Sequence, residues 1–107
     1  MTDVYDLARM DARASYTLWC GMRQRAVRRL RETLAWRKEL TRRCLAVSWN
    51  LECGAYPPEQ QPRLEADVAR WDAICLDIRH RRVPQIIEWI RAIDAALYED
   101  ADPRTRH

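Results

Sequence analysis

Apolar residues recur along this chain at helical spacing. Leu30, Leu40, Cys44, Val47 and Leu51 keep to a helical seam, with Thr33 and Arg37 filling its remaining positions, while Val27, Leu34, Trp36 and Leu45 widen it to either side. Leu64, Val68, Trp71, Cys75 and Ile78 follow at steps of four, three, four and three. In the last third Ile86, Ile90, Ile93 and Leu97 repeat the pattern, and Trp89 and Ala96 broaden it. Residues at such steps share one face of an α-helix, whereas a half-buried strand alternates with a period of two. No stretch alternates in that way, so the sequence predicts an all-α fold.

Breakers set the boundaries. Glycine occurs only at 21 and 54, and proline at 57, 58, 62, 84 and 103. Thr2 ahead of Asp3 and Asp6 reads as an N-cap with acids in the first turn. Gly54 before Pro57 and Pro58 reads as the residue just past a helix that cannot continue. These signals predict a first helix over about 3–53, a rod of roughly 75 Å at about 1.5 Å per residue. No compact partner in so short a chain covers that length, so a break near Gly21 or pairing with another molecule is expected. Pro84 lacks an N–H and disfavours helical geometry at Val83, which predicts two further helices over about 59–82 and 84–99. The expectation is one domain over 1–100, an antiparallel hairpin or bundle of three to four helices around the 54–62 turn. Residues 101–107 read as a flexible polar tail.

Composition narrows the function classes. The chain has 107 residues, 48% apolar and 33% charged, with two glycines, which excludes collagen-like, low-complexity and disordered compositions. The N-terminus begins with acids and lacks the basic and apolar regions of a secretory signal. No apolar run approaches the roughly 18–20 residues that cross a bilayer. A cytoplasmic protein with reduced thiols is expected. The cysteines at 20, 44, 53 and 75 contain no C-x-x-C pair, so their spacing prepares no zinc site. Cys44 and Cys75 fall on apolar stripes and are expected as buried thiols. His80 sits in an arginine cluster and His107 is the last residue, so neither sets up a nucleophile with its base. Two isolated glycines make no phosphate-binding loop. No metal, cofactor or catalytic group is expected, and the chain reads as a non-enzyme.

Charge is where the sequence says most. Net charge is +3, from eighteen arginines and the single lysine Lys38 against sixteen acids. Residues 21–56 hold nine of the cations against three acids, whereas 57–78 hold five acids against two arginines. Helical spacing places Gln24, Arg28, Arg31, Lys38 and Arg42 on one face, and Arg79, Arg81 and Arg82 form a second basic cluster. Such a face is either the solvated side of an amphipathic helix or a docking surface for an acidic protein or a phosphate backbone. Of the five tryptophans, Trp71 and Trp89 lie on apolar stripes and are expected in the core. Trp36 and Trp49 are less clearly inside. Their bulk favours the core, but an exposed Trp36 beside Arg37, Lys38, Arg42 and Arg43 would be an interface anchor.

The reading is a small non-enzymatic intracellular interaction protein, an adaptor or inhibitor of the kind phages and mobile elements carry. It is expected to form a homodimer and to bind a protein with an acidic surface, using Arg28, Arg31, Lys38, Arg42, Trp36, Arg79, Arg81 and Arg82. The alternative is nucleic-acid binding through the same arginine-rich face, although no nucleic-acid-binding motif accompanies it. A third reading is a small helical enzyme on an anionic substrate. Arg28, Lys38, Glu52 and Gln85 resemble, in residue type and order, the groups with which helical chorismate mutases hold a dicarboxylate. The spacing between the arginine and the lysine departs from that family.

Overall fold

The computed structural model describes the backbone of residues 4–101 and the side chains of residues 13–99. The Thr2 and Asp3 cap and the polar tail beyond Ala101 lie outside the described residues. Helix α1 spans Val4–Glu52, a 3-10 turn spans Pro58–Gln60, α2 spans Gln61–Asp77, a π-helical turn spans Ile78–Arg82, and α3 spans Val83–Ala101. No strand occurs among the described residues. None of these helices is long and apolar enough to cross a membrane.

Gly21 does not break α1. It stays within the helix, and a Cβ built on it would meet nothing within 4 Å. The roughly 1 kcal/mol that a mid-helix glycine costs relative to alanine does not outweigh the helical bonds on both sides. The end of α1 follows the sequence closely. Gly54 adopts a left-handed φ of 69°, its N–H donates to the Leu51 carbonyl at 3.2 Å, and the Ala55 N–H reaches the Asn50 carbonyl at 2.9 Å. These two bonds make a Schellman cap, which satisfies carbonyls that the last turn would otherwise leave unpaired. Pro57 then holds extended geometry and Pro58 opens the 3-10 turn. The turn is tied down by Asn50 Nδ2 donating to the Tyr56 hydroxyl at 3.3 Å and Gln61 Nε2 donating to the Tyr56 carbonyl at 3.4 Å.

Pro84 does not end a helix either, so the expected three to four helices are two continuous helical segments among the described residues, Val4–Glu52 and Gln61–Ala101. Val83 keeps helical angles of φ −62° and ψ −48°, and its N–H reaches back five residues to the Ile78 carbonyl. The wider π turn shifts the hydrogen-bond ladder by one residue just before the proline. That places Pro84 in the first turn of α3, where its missing donor is tolerated.

The described chain divides into two compact units, one built from residues up to Leu30 together with Ile86 onward, the other from Arg31–Gln85. In the first, Ala26, Ile86 and Ile93 are buried, and Arg23 Nε meets Asp94 Oδ1 at 2.6 Å on the surface. In the second, Leu40 and Ile78 are buried. Its two helices run antiparallel, because Arg37 and Thr41 meet Cys75 while Cys44, further along α1, meets Val68. Cys44 Sγ lies 3.8 Å from the Val68 carbonyl and Cys75 Sγ 3.9 Å from the Arg37 carbonyl. These two thiols therefore sit half-buried at the helix contact rather than fully inside.

Three tryptophans depart from the core expectation: Trp36 and Trp89 are nearly half exposed, and Trp49 is two-thirds exposed. Each unit pairs a stretch of α1 with one other helix, and one neighbour covers only the centre of a broad stripe. Leu40 and Ile93 are at that centre; Trp36 and Trp89 stand one turn before them, about 40° off it and at the edge of what one neighbour covers, whereas Trp49, nine residues beyond Leu40, lies on the opposite face of α1.

Candidate functional site

In the unit of Arg31–Gln85, the outer face of α1 carries Arg31, Lys38 and Arg42, all exposed. Continuing at steps of three and four, the same face carries Leu45 and Trp49, each 67% exposed. Opposite it lie Leu40, which is buried, and Cys44, which meets Val68 of α2, with Leu51 on the same face by register. Sequence periodicity set Leu45 beside the apolar stripe without showing that it prolongs the basic face. The signal was present in the spacing of Lys38, Arg42, Leu45 and Trp49, which repeats the four–three–four seam of an interhelical contact.

Other members of the predicted set are already engaged. Arg42 makes a two-pronged contact with Glu39, Nη2 to Oε1 at 2.8 Å and Nε to Oε2 at 3.2 Å, and Arg43 Nε adds a third contact at 3.3 Å. This pairing, with Arg42 first and Arg43 second, holds the Glu39 carboxyl below its ordinary range. Arg81 and Arg82 both close on Asp77, at 2.8 and 3.2 Å. The Asp77 carboxyl is likewise held down, Arg81 being the larger cause. The Asp77 and Arg81 contact is the i,i+4 pair that helical spacing favours. Arg43 also lies over the Trp36 ring, 5.7 Å from its centroid, so the face of that indole is partly covered.

Among the described residues Arg28, Arg31, Lys38 and Arg79 make no ion pair. Arg28 is exposed in the other unit. Arg31 and Lys38 stand together on the outer face of α1, whereas Arg79 opens onto a different feature. That feature is a groove of about 470 Å³ along the contact of α1 and α2, lined by Arg37, Thr41, Asp72, Cys75, Leu76 and Arg79. Thr41 Oγ1 donates to the Arg37 carbonyl at 2.8 Å, so its hydroxyl is occupied along one wall. Lys38, Glu52 and Gln85 are exposed and do not line the groove, nor does Arg28. No group of three or more His, Cys, Asp or Glu side chains is placed to hold a metal among the described residues.

Against known protein families, curated proteins and solved structures, the chain shows no match.

Proposed function

We propose that this chain is a non-enzymatic helical interaction protein, an adaptor or inhibitor, which docks on an acidic surface of a protein partner and self-associates as a homodimer. The observation that carries the reading is the pair Leu45 and Trp49, each two-thirds exposed on the face that also bears Arg31, Lys38 and Arg42. Large apolar side chains on a solvated helix face gain about 1.5–3 kcal/mol each when a partner buries them. Tryptophan and arginine are the residues most often found to dominate interfaces. The cations around them set orientation and encounter rate with an acidic surface. Trp36, four residues before the buried Leu40 and partly covered by Arg43, lies on the other side of the helix and takes no part in this surface.

Affinity capture from the cell that makes this protein tests the reading. Tagged wild-type protein is expected to retain one protein in fixed proportion. Trp49→Ala is expected to lose it by a factor of about thirty or more, the size of a tryptophan hot spot of about 2 kcal/mol. Equal recovery by wild type and variant contradicts the reading.

Nucleic-acid binding is the second reading, supported by Arg31 and Lys38, which stand free of carboxylates on one face. It requires retention of DNA or RNA in a low-salt mobility-shift assay, falling steeply as salt rises. Absence of any shift removes it.

A further inference from the structure

The ion pairs of the Arg31–Gln85 unit all lie outside the groove. Glu39, Asp67 and Asp77 each hold an arginine at 2.8–2.9 Å, yet among the described residues Asp72 and Arg79 hold no opposite charge although both line the groove. Between them lie Cys75 and Leu76, and Leu76 is 49% exposed. The groove thus presents an apolar centre with an unpaired anion, Asp72, on one side of it and an unpaired cation, Arg79, on the other, while Arg37 of α1, also without an ion pair among the described residues, lines the groove too.

The spacing gives this arrangement a symmetry. Asp72 and Arg79 are seven residues apart, two helical turns, on the same face of one helix and about 10 Å apart along its axis. Cys75 and Leu76 fall midway. A two-fold rotation about a point between Cys75 and Leu76 exchanges positions 72 and 79, so it sets the carboxylate of one copy against the guanidinium of the other, twice. It also brings the exposed Leu76 side chains together at the axis. A uniformly acidic partner would meet Asp72, and a basic one would meet Arg79 and Arg37. A second copy of the same surface offers both signs, so that Asp72 and Arg79 are each matched while Arg37 stays beside them without an opposite charge; the matched pair is the self-complementarity that a closed dimer interface demands.

We infer that this groove is the interface on which two copies of the chain pair about a two-fold axis at Cys75 and Leu76, Asp72 of each facing Arg79 of the other. The inference rests on the self-association proposed above and names its surface, while the outer face of α1 stays free for a different partner.

Sedimentation velocity over a concentration series tests it, with far-UV circular dichroism confirming that each variant is helical. Among the described residues both are exposed and carry no ion pair, so their replacement removes no contact that holds the helix pair. Wild type is expected to sediment as a dimer. Asp72→Arg and Arg79→Asp are each expected to raise the dissociation constant about tenfold or more, since each change counts twice across the axis and turns attraction into repulsion. The double variant Asp72→Arg with Arg79→Asp is expected to recover most of that loss, and Leu76→Gln to weaken the dimer without altering the charges. A dimer indifferent to all of these overturns the groove and leaves self-association standing. Single variants that weaken with no recovery in the double overturn the pairing of 72 with 79. A wild type that stays monomeric to about 100 μM, a concentration well above ordinary interface affinities, overturns both.

Discussion

Leu40 and Leu45 lie five residues apart on α1 and differ almost completely in environment: Leu40 is 1% exposed and Leu45 67%. Replacing each by alanine therefore separates what holds the helix pair together from what the helix offers outward. At Leu40 the truncation removes three buried carbons, worth about 2.4 kcal/mol at about 0.8 kcal/mol each. The void they leave raises the cost within the roughly 2–5 kcal/mol seen for buried leucines. At Leu45 only about a third of the side chain is covered, so the loss is below about 1 kcal/mol, and the better helix propensity of alanine returns a few tenths. Urea unfolding followed at 222 nm, at one fixed protein concentration because self-association feeds into apparent stability, should show a large fall in midpoint for Leu40→Ala and almost none for Leu45→Ala. Comparable falls for the two would refute the assignment of the buried and outward faces of α1.

Other predictions follow from single contacts. Gly54→Ala should cost about 1–2 kcal/mol because φ is 69° there and a Cβ disfavours left-handed geometry; an unchanged melting temperature would count against the Schellman cap. Asp77 and Glu39 titrate below their ordinary values of 3.8 and 4.5, held down chiefly by Arg81 and Arg42 respectively. Carboxyls lowered in the folded state contribute stability above their unfolded values and lose it as pH falls through the folded ones. The stability these two pairs contribute should thus decline on the acid side of about pH 4, and Arg81→Gln should reduce that decline. Burial, with Cys75 and Asp72 nearby, pushes the Cys44 thiol up, whereas Cys53 is exposed. Timed alkylation read by mass spectrometry should label Cys53 well before Cys44, since the thiolate is the reactive form.

Much of the local structure was legible. Gly54 followed by two prolines announced the end of α1, and the seam from Leu64 to Ile78 announced the face of α2 that meets it. The Asp77 and Arg81 pair was readable from spacing alone. Pro84 misled because its two local penalties, the missing donor and the crowding of Val83, were both relieved by a π turn, a change of ladder that no residue pattern signals. Trp36, Trp49 and Trp89 misled for another reason. Trp36 and Trp89 do stand beside apolar stripes, but how wide a stripe becomes buried depends on how many helices pack against it, which is a tertiary property, and Trp49 lies on the face opposite Leu40. The basic face was readable in Arg31, Lys38 and Arg42, though not the neutralisation of Arg42 by Glu39. The groove was invisible because it needs α1 and α2 in register, with Arg37 and Thr41 brought beside Asp72, Cys75, Leu76 and Arg79.

Site-specific photo-cross-linking in the cell of origin shows whether the outer face of α1 holds a partner. A photoreactive amino acid placed at Leu45 on the outer face of α1 is compared with one at Ala66, an exposed position of α2 outside both the groove and the basic face. One discrete protein adduct is expected from position 45 and none of that size from position 66. The same adducts from both positions, or none from position 45, would contradict a partner on that face.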